Sequence, residues 1–99
     1  MITLVAKLQA NAGKENDLRA ALTEMVANVK KHEAGKAVAY SLHVSDTDPT
    51  VFLFYEQYSS PEALAAHGQT DHMKAMGAKL GGVLAGRPTV ERYTQIAGV

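Results

Sequence analysis

The sequence has no cysteine and no tryptophan, and only three of its 99 residues are proline. Without cysteine there is no disulfide, thiolate metal site or cysteine nucleophile, so chemistry falls to His, Asp, Glu, Tyr, Ser and Thr. An excess of charge is missing as well, because ten basic and ten acidic residues cancel to a formal net charge of zero. The longest basic run is Lys30-Lys31, whereas a nucleic-acid or anionic-membrane surface calls for a concentrated positive field. No stretch approaches the roughly 20 apolar residues of a membrane span. Residues 1–10 carry neither the basic lead nor the long apolar run of a secretory leader. These absences predict a cytoplasmic protein with no nucleic acid and no membrane among its partners.

What is present suits one small folded unit. The 46% hydrophobic and 20% charged content is that of a globular chain, and 99 residues suffice for a single domain over 1–99. Residues 2–9 are short and apolar on both alternating sets, as in a strand covered on two faces. After the turn at Asn11-Ala12-Gly13-Lys14, Leu18, Leu22, Met25, Val26 and Val29 recur at three- and four-residue spacing, which predicts an amphipathic helix ending between His32 and Gly35. Residues 37–44 and 51–58 read as strands joined by the turn-forming Ser45-Asp46-Thr47-Asp48-Pro49. Ser59 or Ser60 before Pro61-Glu62 starts a second helical region. That region breaks around Gly68-Gln69-Thr70-Asp71 and stops near Gly86. Residues 89–96 supply a last strand. The order β-α-β-β-α-β predicts an α+β, ferredoxin-like protomer: a four-stranded antiparallel sheet with the helices on one face.

Neither side of the central hairpin reads as polar, since Tyr40, Leu42, Phe52, Phe54 and Tyr58 alternate with Ala39, Val51, Leu53 and Tyr55. Helices cover one face only, and an apolar far face left in water would exceed what monomers usually expose. A homodimer with the far faces together is the expected solution, because two-fold pairing needs one self-complementary patch.

Histidine is the side chain suited to moving protons near neutral pH, and there are four. His32 is expected to be solvated at the end of the first helix. His43 is either a hydrogen-bonded strand residue or part of a site. His67 and His72 lie five residues apart, about 140° around a continuous helix, so they do not form the metal pair that spacing four would give. If the helix bends at Gly68, both rings can reach the space between sheet and helices, where one would act as a base. Glu56, between aromatics, is either an acid of raised pKa or the partner of Arg92 or a His. Met25, Met73 and Met76 read as core fillers, although thioether walls also suit flat aromatic ligands.

Several segments taken in order carry a resemblance: Met1-Ile2-Thr3-Leu4-Val5-Ala6 with Gly13-Lys14-Glu15, Phe52-Leu53-Phe54-Tyr55-Glu56-Gln57-Tyr58, Leu64-Ala65-Ala66-His67, Thr70-Asp71-His72-Met73 and Leu84-Ala85-Gly86-Arg87-Pro88. Together they resemble the antibiotic biosynthesis monooxygenase family over nearly the whole chain. The resemblance implies a dimeric α+β barrel and a pocket between each sheet and its helices. It also implies oxidation of a quinol or related enolisable aromatic by molecular oxygen with no cofactor and no metal. His67, His72 and Glu56 would be catalytic, and His43, Tyr55, Tyr58, Met73 and Met76 would line the substrate pocket. A haem-degrading branch is not implied, since Ala6, His67 and Gly77 stand where it carries Asn, Trp and His. A rival resemblance is to enzymes that isomerise or degrade a phosphorylated carbonyl signalling compound, and a non-catalytic dimeric binding module is the third reading.

Overall fold

The computed structural model describes residues 1–99. Its elements are β1 (Ile2–Gln9), α1 (Glu15–His32), β2 (Ala37–Val44), β3 (Val51–Tyr58), α2 (Pro61–Gly68), α3 (Asp71–Lys79) and β4 (Thr89–Thr94). The four strands form one sheet in the order β2-β3-β1-β4, and every neighbouring pair is antiparallel. This is the expected α+β, ferredoxin-like arrangement, with the helical region in two pieces. No helix is long and apolar enough to cross a membrane.

Local chemistry accounts for the elements. Helix α1 places Glu15 and Asp17 in its first turn and Lys30, Lys31 and His32 in its last, each suited to the dipole end it meets. Its stripe Leu18, Leu22, Met25 and Val29 is fully buried, packed on Leu8, Phe52 and Phe54 of the sheet. Burying each such side chain contributes about 1.5–3 kcal/mol. Ser60 caps α2, its hydroxyl accepting from the Ala63 N–H at 3.1 Å, with Pro61 following. Thr70 caps α3 in the same way, accepting from the Met73 N–H at 3.3 Å. Its hydroxyl also donates to the His67 carbonyl at 2.8 Å, so one side chain ties the end of α2 to the start of α3.

Helix α3 stops at Lys79, short of the expected end near Gly86. Leu80 caps it, its N–H donating to the Gly77 carbonyl, and Gly82, at φ +75°, then turns the chain in a left-handed conformation suited to glycine. The chain then pairs with β1 instead: the Asn11 side chain donates to the Gly82 and Leu84 carbonyls at 3.2 and 3.0 Å, and the Ala85 N–H donates to the Gln9 carbonyl at 2.8 Å. No residue of α3 is fully buried, and every residue of β4 is exposed. The firm core therefore lies under α1, and the α3–β4 side is loosely built.

The far face of the sheet is more polar than expected. Register puts Thr3, Val5 and Lys7 of β1 beside Gln57, Tyr55 and Leu53 of β3, and Ala39, Ser41 and His43 of β2 beside the same three. Ser41 and His43 alternate with Ala39 onto that side, and the irregularity between Ala37 and Ala39 turns only Ala37 back toward the helices. The apolar remainder is Val5, Val51, Leu53 and Tyr55 with Ala39.

Candidate functional site

Even-numbered residues of the two central strands point toward the helices, and there the sheet, α2 and α3 surround a cavity of about 490 Å³. Eleven of its sixteen lining residues are hydrophobic, so it suits an apolar or aromatic molecule. Leu4, Ala6 and Leu8 form the β1 wall, and Met73 and Met76 form the α3 wall. Its ionisable side chains are Tyr40, Glu56 and His67, and no Lys or Arg lines it.

His67 is 5% exposed and is fixed on all sides. Its ring lies between those of Tyr40 and Tyr58, with centroids 5.5 and 5.2 Å away. Its Nδ1 hydrogen-bonds both Glu33 carboxylate oxygens at 2.9 and 3.0 Å. In the neutral ring with Glu33 as acceptor, Nδ1 carries the proton and Nε2 keeps a free lone pair. That Nε2 lies 3.9 Å from Glu56 Oε1, too far for a direct hydrogen bond. A ligand hydroxyl can therefore reach both groups.

Glu56 is 4% exposed, and burial holds its carboxyl above the usual carboxylate range against the opposing pull of Tyr58 and His67. The Tyr58 hydroxyl donates to Glu56 Oε1 at 2.5 Å. Burial, then the Glu56 carboxylate it faces, drives the Tyr58 hydroxyl far above its ordinary value. Burial, with Glu56 and Glu33 behind it, does the same for Tyr40. Both phenols therefore stay protonated at neutral pH and act as donors.

The break between α2 and α3 brings His72 onto the same carboxylate: His72 Nε2 hydrogen-bonds Glu33 Oε2 at 2.5 Å. The side chain lies outside the cavity, stacked on His32 with centroids 5.7 Å apart, and lines a surface depression with Asn28, Thr70 and Asp71. His32 is thus exposed but not isolated.

The expected residues therefore divide. Glu56, His67, Met73 and Met76 meet at the cavity, and Tyr58 lies directly behind Glu56. His72 joins through Glu33. Tyr55 and His43 do not line the cavity, because their odd strand positions turn them to the far face, where His43 Nε2 hydrogen-bonds Ser41 Oγ at 2.9 Å. Arg92 is not the partner of Glu56; the Tyr58 hydroxyl hydrogen-bonds it, and His67 Nε2 faces it at 3.9 Å. Two residues went unrecognised in the sequence. Tyr40 reads as one more aromatic of a strand. Glu33 reads as a solvated helix end, yet it lies four residues beyond Val29 and prolongs the stripe 18-22-25-29. A carboxylate on the buried face of a helix is the signal for it.

The chain belongs to the antibiotic biosynthesis monooxygenase family, whose model matches residues 1–79. Membership supports an oxidoreductase of the monooxygenase type. A Caulobacter crescentus protein named for the same family is 34% identical, with a TM-score of 0.89 over 97% of this chain and 90% of that one. A Pseudomonas aeruginosa protein is 26% identical at TM-score 0.88, covering 97% and 94%. A Mycobacterium tuberculosis protein, 22% identical at TM-score 0.88 over 98% and 96%, shares the fold. No curated protein matches the chain.

Proposed function

We propose that the protein is a cofactor-independent monooxygenase that oxidises a quinol or related enolisable aromatic with molecular oxygen. The observation that carries this reading is an apolar cavity whose one free imidazole nitrogen, His67 Nε2, faces a buried carboxyl while a second buried carboxylate grips the other edge of the ring. His67 takes the phenolic proton, and Glu33 stabilises the imidazolium that forms, as the acid of a catalytic triad does. Tyr40 and Glu56 orient the substrate oxygen. The electron-rich anion transfers one electron to oxygen, and the radical pair combines to a ring hydroperoxide. Loss of water leaves one oxygen atom in the hydroxyquinone and the other in water, with the quinol as sole reductant. The Met and Leu walls keep bulk water from the intermediates.

A phosphorylated carbonyl substrate finds no counter-charge in a cavity without Lys or Arg, which favours the aromatic reading. The half-buried Val5, Leu53 and exposed Tyr55 of the far face support pairing with a second copy, and we include that homodimer, with a cytoplasmic location, in the proposal.

Oxygen consumption with a panel of quinols and anthrone-like phenols tests the reading. Turnover by the native protein should fall by about 10²-fold or more in His67→Ala, the range of a lost general base. Oxygen uptake that His67→Ala leaves unchanged, or none with any member of the panel, would overturn it.

A further inference from the structure

Three nitrogen and oxygen ligands converge behind the cavity, supplied by three different elements. Glu33 caps the C-terminal end of α1, His67 closes the last turn of α2 and His72 opens α3. One ligand atom from each lies within 4.8 Å of the other two. The side chains of Glu33, His67 and His72 are 4%, 6% and 9% exposed, so they are held in place before any ion arrives. Two imidazoles and one carboxylate, with no thiolate, form a set suited to borderline divalent transition ions such as Zn²⁺ or Co²⁺.

We propose that Glu33, His67 Nδ1 and His72 Nε2 form a binding site for such an ion, on the opposite side of the His67 ring from the cavity. Two observations support it independently of the cluster's mere existence. The separations of 2.9 Å between His67 Nδ1 and Glu33 and 2.5 Å between His72 Nε2 and Glu33 need to open only modestly to reach the roughly 3.0–3.4 Å between neighbouring ligands around an ion bonded at about 2.0–2.1 Å. Second, Glu56 Oε1 lies 3.9 Å from the outward nitrogen of His67. A metal-bound histidine commonly gives its remaining N–H to a carboxylate that orients the ring, and Glu56 is the carboxylate on that side, the pair having to close from 3.9 Å to make that bond. Of the three ligands His72 also lines the surface depression beside Asn28, Thr70 and Asp71, which gives an ion a route to the cluster from solvent.

Occupancy has a chemical consequence that rests on the reading of His67 as the base. In the metal-free network the proton of His67 is on Nδ1 and the lone pair of Nε2 is free. An ion takes Nδ1 and moves the proton to Nε2, which turns an acceptor toward the cavity into a donor. The ion takes the place of the Nδ1 proton of His67 and of the Nε2 proton of His72, and each neutral ring keeps its proton on its other nitrogen. The same cluster thus holds the base ready when empty and disarms it when filled.

The test uses the full chain without substrate, so it is independent of turnover. Zn²⁺ is titrated against native protein in competition with a chromophoric chelator, and ¹⁵N-histidine spectra follow the tautomer of His67. The expected result is one ion per chain, at least about tenfold weaker in His72→Ala and in Glu33→Gln, unchanged in His43→Ala, with the His67 proton moving from Nδ1 to Nε2. Thermal melts identify a variant that fails to fold, and His72→Gln then replaces it. Equal affinity in native protein and the ligand variants, or an unmoved His67 proton at saturation, overturns the site. Failure of quinol oxidation with an intact zinc site would instead strike the proposed activity alone.

Discussion

Glu33 is the residue on which the site turns. It is 3% exposed at the end of a helix whose dipole opposes a negative charge, and two imidazole N–H groups supply the compensation. Glu33→Gln keeps the shape but replaces an anion by a neutral amide that no longer favours an imidazolium. Quinol turnover should fall by about 10²-fold or more with little change in KM, measured by steady-state oxygen uptake. A parallel rise in KM would show instead that the substitution disturbs the cavity. His67 and Glu56 were legible as candidates because titratable groups among apolar neighbours stand out. Glu33 was not, since beside Lys31 and His32 it looks like part of a solvated terminus. Only its spacing from Val29 betrays burial.

Among the elements, the junction of α2 and α3 decides the chemistry. On one continuous helix His67 and His72 would diverge, and the separation at Gln69 and Thr70 lets both reach Glu33. The break is visible in the sequence as Gly68 followed by a capping Thr and an acidic first turn. Its effect is not, because the angle between two short helices depends on what they pack against. Thr70→Ala removes the α3 cap and the bond to the His67 carbonyl. The expected loss is about 0.5–2 kcal/mol in chemical denaturation, with oxygenase activity lowered beyond what the folded fraction explains. Full activity at reduced stability would mean that the cap serves folding alone. The end of α3 was overestimated because apolar residues at 80, 83 and 84 continue a helical spacing while Gly81-Gly82 redirects the chain to β1.

For the whole molecule, the order of elements, the antiparallel sheet and its helix-covered face followed from alternation and turn chemistry, but the polar share of the far face was underestimated. Ser41 and His43 alternate with Ala39 onto that face, so two polar side chains interrupt a set that Val51, Leu53 and Tyr55 alone make look apolar. Val5, Leu53 and Tyr55 remain the centre of the proposed seam, ringed by Thr3, Gln57, Ser41 and His43. Light scattering at micromolar concentration should give a native mass twice that of the 10.6 kDa chain. Leu53→Lys should return a single-chain mass with the helical spectrum intact, because an ammonium at the middle of a closing interface has no partner. A native protein of single-chain mass would remove the dimer from the proposal.

One consequence of the lightly anchored α3 concerns guests rather than the fold. Of the cavity walls, the sheet is knitted by ladders of hydrogen bonds, while the Met73 and Met76 side belongs to a helix with no fully buried residue. Such a wall yields at low cost, and thioether chains refill whatever space a molecule leaves. Tolerance for breadth and strictness about the acidic hydroxyl follow together: ring systems of several widths should fit, provided each offers a proton where His67 can collect it.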